Sequence, residues 1–551
     1  MEITRRGFLV LTGAAAASAC GQTGTATGPD GALDALATED GAGDVLGPDR
    51  AVGDEALDAS AGDVVEVDAG GEDDVADAGG EDDVADAGGE DGSLDVPEDA
   101  LGPDDVPASV DASVDAGGLV GDSGADVRED AGALDATLML PELGGVFPLG
   151  LMSGDMDSSS AVLWTRFVGA ATLAVRVERM EGGRPVEVAL EREVTPGPSG
   201  FTHVLAEGLR AGTRYRFVFL TRDGGRVTGR SAAARFRTTL AEGALEPVLL
   251  GATSCTNARY RPFAPLQRVG DHGELDAFVH LGDMAYCDGA RTADQYRAKY
   301  AENFTSDGFR RMFREAGLYS TWDDHEVDNN WNAERVDATL LATARSAYFE
   351  HRAQRRHPTD PDRIWRSARW GATLELFILD CRGERRPSTR TTRSAVYLSR
   401  AQMDWLKDGL ARSTARFKVI ANSVPIADMP FTFLGGEDRW EGYDAARDEI
   451  LDHITGRGIR GVWWVSGDFH LGAVGKLEPS GARSAMRDLI VGPGGQFPNP
   501  LFLSLLPPQW DFTTGENNYV TLRADPARNE LTVRFINGAG RVIFERTYAN
   551  P

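Results

Sequence analysis

Five polar clusters stand directly behind short apolar runs in this sequence. They are Thr253-Ser254-Cys255, Gly282-Asp283-Met284-Ala285-Tyr286, Asp380-Cys381-Arg382, Asn422-Ser423-Val424-Pro425 and Gly467-Asp468-Phe469-His470. A further segment, Trp322-Asp323-Asp324-His325-Glu326-Val327-Asp328, crowds four carboxylates and an imidazole between Asp323 and Asp328. A lone Gly-Asp behind a strand is weak evidence, because Asp also caps helices and forms turns. Several such clusters together are strong evidence. If the acidic segment is even partly buried, a bound cation or a proton-transfer role is what offsets its repulsion and desolvation. Trp322 and Val327 argue that it is anchored rather than a solvated turn.

The apolar runs ahead of the clusters cover 248–252, 277–281, 374–379, 417–421 and 462–466, and they alternate with helical stretches. That rhythm predicts an α/β sheet, in which ligands gather beyond the carboxyl ends of the strands. Between 154 and 240 the pattern differs, with short alternating runs such as Leu173-Ala174-Val175-Arg176-Val177 and Tyr215-Arg216-Phe217-Val218-Phe219 separated by turns. This predicts a small β-sandwich over 146–241, ordered from about Phe147. It carries no clustered His, Asp or Cys and reads as scaffold or substrate wall.

The formal charge of −30 over 551 residues comes almost wholly from 21–140, where 34 Asp and Glu face only Arg50 and Arg128. The remainder is nearly neutral, so neither an acidic catalytic region nor a specific nucleic-acid surface is implied. The segment 70–78 repeats at 79–87, and such a Gly-, Ala- and Asp-rich stretch reads as a disordered acidic linker, a self-repelling stalk over 21–140. Ahead of it, Arg5-Arg6-Gly7-Phe8-Leu9 and an Ala-rich run ending at Cys20 resemble a twin-arginine export signal with a lipidation site at Cys20. The expected partners are therefore the twin-arginine machinery and, through a lipid anchor alone, a membrane. The expected location is periplasmic or on the cell surface. No apolar run reaches the roughly 18 to 20 residues of a membrane span, and four cysteines do not make a disulfide framework.

Taken in order, Ser254-Cys255, His280-Leu281-Gly282-Asp283-Met284-Ala285-Tyr286, Trp322-Asp323-Asp324-His325-Glu326-Val327, Trp440-Glu441-Gly442-Tyr443 and Ser466-Gly467-Asp468-Phe469-His470 resemble the alkaline phosphatase D (PhoD-like) branch of the calcineurin-like metallophosphoesterases. The resemblance runs from about Phe147 to the end. It implies an α/β, four-layer β-sandwich flanked by helices as the catalytic domain over 247–551, preceded by a fibronectin III-like sandwich and the stalk. It places Cys255, Asp283, Tyr286 and His470 at a first metal, and Asp283, Asp324, Asp468, Asn422 and Glu441 at a second. Thiolate, phenolate and imidazole suit ferric iron, whereas hard oxygen ligands favour calcium. Zinc or manganese is disfavoured, since only His280, His325 and His470 of eight histidines fall in the motifs.

The implied reaction is two-metal hydrolysis of a phosphate mono- or diester, small or polymeric, by a hydroxide held between the cations. His325 would serve the leaving oxygen and Arg382 would orient the ester. Two departures from the family pattern stand out. Glu441 replaces an Asp in the Trp-Asp-Gly-Tyr motif, and Cys381 replaces Thr in Asp-Thr-Arg. Cys381 and His280 read as core residues rather than ligands, and a Cys255–Cys287 disulfide is disfavoured because it would consume a ligand. The rival from another class is a displayed binding lipoprotein with an inactive site.

Overall fold

The structure, a computed structural model, describes residues 136–430 and 436–551. The leader with Cys20, nearly all of the acidic stretch and part of the 432–439 loop lie outside the described residues.

Strands that are apolar on consecutive positions need both faces covered, and here they are. In Val248–Thr253, Val248, Leu250 and Ala252 point into a central core while Leu249 packs outward. Leu374, Leu376 and Ile378 likewise face inward and Phe377 outward, and Trp463 opposes Trp464 in Val462–Ser466. The inward faces belong to two sheets packed against one another. The first has nine strands, in the order Val542–Ala549, Glu530–Asn537, Asn518–Asp525, Val248–Thr253, Ala277–His280, Leu318–Ser320, Leu151–Gly154, Ala161–Arg166, Phe201–Ala206. The second has seven, in the order Arg366–Trp370, Leu374–Ile378, Phe417–Asn422, Val462–Ser466, Arg487–Ile490, Gly472–Lys476, Trp510–Thr514.

Helices Ala293–Phe304, Asp307–Glu315 and Ala338–Glu350 cover the outside of the first sheet. Arg400–Arg412 and Asp444–Gly456 cover the second, which completes four layers. Local sequence starts most of these helices. Thr292 and Gln295 form a reciprocal capping box, and Ser306, Asp337 and Ser399 cap the next three. Each such cap contributes about 1 kcal/mol.

The N-terminal sandwich packs Thr172–Glu181 and Arg214–Asp223, with Leu173, Val175, Phe217 and Phe219, against Leu151, Leu163 and Val204 of the facing strands. Those facing strands are also the end of the first sheet, joined to Leu318–Ser320 by a parallel bridge at Gly154 and Leu318. A side chain at Gly154 would collide with the carbonyls of Ala353 and Leu318, so the junction depends on glycine. Ordered contacts begin before Phe147: the N–H of Leu143 donates to the Arg230 carbonyl at 2.8 Å. The sequence hides this because Pro141 to Gly145 carries no strand periodicity.

Parallel pairing within each sheet brings the carboxyl ends of Val248–Thr253, Ala277–His280 and Leu318–Ser320 together, and those of Phe417–Asn422 and Val462–Ser466. The two sets meet. Ser254 Oγ donates to the Val491 carbonyl at 2.8 Å, and Thr321 Oγ1 to that of Leu379 at 2.6 Å.

Candidate metal centre

Four side chains predicted to bind metal sit on left-handed backbone: Cys255 at φ 55°, Asp283 at 54°, Asp468 at 64° and His470 at 51°. Non-glycine residues hold that conformation only where their surroundings impose it, and such strain gathers at functional sites. It is imposed here by abrupt turns at strand ends. Gly282, at φ 104°, lies against the chain at Asp323, where a Cβ would meet the backbone nitrogen at 2.7 Å.

The turns bring ligand atoms of Cys255, Asp283 and His470 within 4.8 Å of one another. Asp283, Asp324 and His325 form a second such group, and Asp323, Asp324 and Asp468 a third. Asp283 is common to the first two groups. Tyr286 joins the first, its hydroxyl 3.3 Å from Asp283 Oδ2 and 3.3 Å from His470 Nε2. Burial pushes the Cys255 thiol, the Asp283 carboxyl and the Tyr286 phenol well above their ordinary pKa values, and Asp283 raises the other two further. Burial also lifts Asp468 to about 6. A cation is what makes such a set of buried acids stable in its ionised, ligating form.

His325 stacks on Tyr286 with ring centroids 3.9 Å apart, and its Nδ1 lies 2.8 Å from Asp288. Burial works against its charged form, but Asp324, Asp283 and Asp288 outweigh burial and hold its pKa well above the usual value. Asp324 takes the opposite shift. Burial opposes its ionisation, yet Arg382 and His325 hold its pKa below the ordinary range. Its Oδ2 accepts from the N–H of Asn330 at 2.8 Å, while Oδ1 is buried without a hydrogen-bond partner.

Three residues expected at the site make contacts that the sequence does not announce. Arg382 is fully buried, with Nε and Nη2 donating to the two oxygens of Asp323 at 2.6 and 2.9 Å and Nη2 also to Asp468 at 3.0 Å. Its fork is engaged by carboxylates, so it acts as the internal counter-ion of the acidic cluster rather than an open clamp for ester. Asn422 ends its strand as expected, but its Oδ1 accepts from the Cys381 thiol at 2.8 Å and its amide nitrogen donates to the Val424 carbonyl. Glu441 lies apart from the three groups, lining a cavity of about 240 Å³ with Arg390, Asp428 and Arg447. Both its oxygens are buried without a hydrogen-bond partner. The turn at Gly442, φ 88°, and the bond from Arg390 Nε to the Glu441 carbonyl fix the chain there.

The cysteines and His280 have these surroundings. Cys255, Cys287 and Cys381 are free and buried. His280 is fully buried beside Thr256 Oγ1 at 3.4 Å, and burial lowers its pKa to about 3.

Two contributors escaped the sequence reading. Glu326, fully buried, accepts from the N–H of Met284 at 2.7 Å and from those of Asp283 and Asp323 at 2.9 Å. It thereby ties two ligand loops together, and Arg352 backs it at 3.4 Å. Asp288 orients His325. An imidazole in a proton-transfer role needs a fixed acceptor at its second nitrogen, and that need was the signal available for Asp288.

A family model described as "PhoD-like phosphatase" matches residues 250–493, and one described as "PhoD-like phosphatase, N-terminal domain" matches 141–240. The "Alkaline phosphatase D" of Bacillus subtilis (strain 168) is 27% identical over 380 residues, 59% of this chain. The match spans 64% of that relative's length. Among solved structures, one titled "Structure of PhoD" aligns with a TM-score of 0.61 at 21% identity, covering 73% of this chain and 89% of that one. The purple acid phosphatase PPD1 of yellow lupin (Lupinus luteus) seeds aligns with a TM-score of 0.51 at 14% identity, covering 73% of each chain. Both structures share the fold.

Proposed function

The chain belongs to the PhoD-like phosphatase family, and on that premise we propose that it is an exported, metal-dependent phosphoesterase hydrolysing phosphate mono- or diesters at the centre built on Asp283. The observation that carries this reading is the convergence of Cys255, Asp283 and His470 within 4.8 Å, each on left-handed backbone.

The residues fit two cations of different character. Sulfur, phenol, imidazole and carboxylate surround the first position, a donor set suited to ferric iron. Asp324, with its orphaned Oδ1, and Asp468 offer oxygen alone to the second, a set suited to calcium. When bound, such ions supply an activated water and the positive charge that phosphoryl transfer needs.

The chain's own groups do the rest. His325, oriented by Asp288 at its Nδ1, stands beside the cluster where it can serve the leaving oxygen. Arg382 keeps Asp323 and Asp468 in place without drawing on substrate. Glu326 fixes the spacing of the Asp283 and Asp323 loops through their N–H groups. Arg5-Arg6 and Cys20 support export in folded form and a lipid anchor, with the protein acting in the periplasm or on the surface.

Hydrolysis of p-nitrophenyl phosphate and its bis ester, measured with iron and calcium content, tests the reading. The wild type is expected to carry both metals and turn over at least one ester, and Asp283→Asn to lose both metals and activity. A wild type without metal that hydrolyses neither ester would favour the displayed binding protein.

A further inference from the structure

A cavity of about 940 Å³ opens between residues 155–158 and 239–243 on one side and residues 355–372 and 412–414 on the other. Its lining includes Arg355, Arg356, Arg363, Arg366, Arg369 and Arg412, against the carboxylates Asp155, Asp157 and Glu242. Three of the arginines are neutralised within the fold. Arg366 pairs with Asp155 at 2.8 Å, Arg369 with Glu375 at 2.7 Å and Arg355 with Asp157 at 3.1 Å. Asp155 also accepts the N–H of Arg355 at 2.8 Å, which ties the two walls together at one end.

Arg356 and Arg363 differ. Arg363 lies over the Trp365 ring, 3.2 Å from its centroid, with Nε donating to the Trp365 carbonyl and Nη1 to His357 Nε2 at 3.2 Å. The His357 ring at this distance helps to set the plane of the guanidinium. The carboxylates acting on Arg363, Asp360 and Glu384, do not offset its burial, and its pKa is lowered. Arg356 packs over Phe349, its Nη1 donating to the Pro361 carbonyl at 3.1 Å and lying 3.9 Å from Asp362, and burial lowers its pKa too. Guanidinium groups held against aromatic rings, with no carboxylate within hydrogen-bond distance, keep N–H donors in place for an anion. Two planar forks opening on one cleft match the oxygens of a phosphate-type anion, and the volume admits a ligand of several phosphate units.

We propose that this cleft is a second binding site, separate from the metal centre, for an anion bearing two or more negative charges of the diphosphate or oligophosphate class, held by Arg356 and Arg363. The proposal does not rest on the reading of the metal centre. It places the anion where it touches the N-terminal sandwich region and the catalytic region at once.

The test is calorimetric titration of the full, metal-loaded chain with methylenediphosphonate, whose P–C–P linkage resists hydrolysis. Arg356→Gln with Arg363→Gln should weaken one binding event by about tenfold or more. The double variant should leave p-nitrophenyl phosphate turnover, and competitive inhibition by the same probe, within about twofold of wild type. If the double variant does not fold, Arg356→Gln alone, at a partly exposed position, should shift the same event in the same direction. An isotherm unchanged by these substitutions overturns the proposal. So does a wild-type isotherm showing only the site at which the probe inhibits hydrolysis.

Discussion

The candidate metal centre has two sides, one around Asp283 and one around Asp324 and Asp468, and they are built differently. Around Asp283, the side chains of Cys255, Tyr286 and His470 converge. Around Asp324 and Asp468, the oxygen-rich half keeps those two carboxylates, while the Asn422 amide is engaged by Cys381 and Val424 and Glu441 faces another cavity. The difference lies in distance from a strand end. Cys255, Asp283 and His470 follow their strands within four residues, so parallel pairing and a left-handed turn fix them almost without further information. Glu441 comes nineteen residues after Asn422, and the intervening path decides where its carboxylate points.

The largest effect that would break this contrast is at the shared residue. Asp283→Asn should lower turnover by about a thousandfold or more and empty both halves together, as read by phosphate release and metal content. Retention of one metal would show that the halves are assembled independently. Next, chelation with EGTA should remove the cation of the oxygen-only half and lower activity by about tenfold or more. Calcium should restore that activity, and the iron content should not change. Loss of iron at the same chelator concentration would erase the distinction between the halves.

Glu326→Ala should act on both halves through structure. It leaves three buried N–H groups without an acceptor and Arg352 without its carboxylate. Destabilisation of roughly 2 to 4 kcal/mol is expected, measured by unfolding. Glu326→Gln, which keeps one acceptor oxygen, should cost less. The smallest effect belongs to Glu441→Gln, which should leave turnover within about threefold and calcium content intact. A calcium-free Glu441→Gln protein would return Glu441 to the second metal.

The α/β strands were legible because buried parallel strands announce themselves as continuous apolar runs, and the runs at 248–252 and 462–466 match strands Val248–Thr253 and Val462–Ser466, whereas the four layers were implied only by the family resemblance. The edge-to-edge joining of Leu151–Gly154 to Leu318–Ser320 was not legible, since a pairing across more than 160 positions leaves no local pattern. The contacts of Arg382 were not legible for a related reason. Its spacing after Leu374–Ile378 placed it at the site, but only the three-dimensional arrangement of Asp323, Asp324 and Asp468 shows what occupies its fork. Asp288 was passed over because its role exists only once His325 is beside it.

The central claim is that Cys255, Asp283, Tyr286 and His470 form a binding position for a high-charge transition metal. The most direct test is the visible spectrum of the purified protein beside that of Tyr286→Phe, with iron measured in both. A phenolate-to-iron charge-transfer band is expected in the wild type and should disappear in Tyr286→Phe. A colourless, iron-free wild type, or a band that survives the substitution, would contradict it.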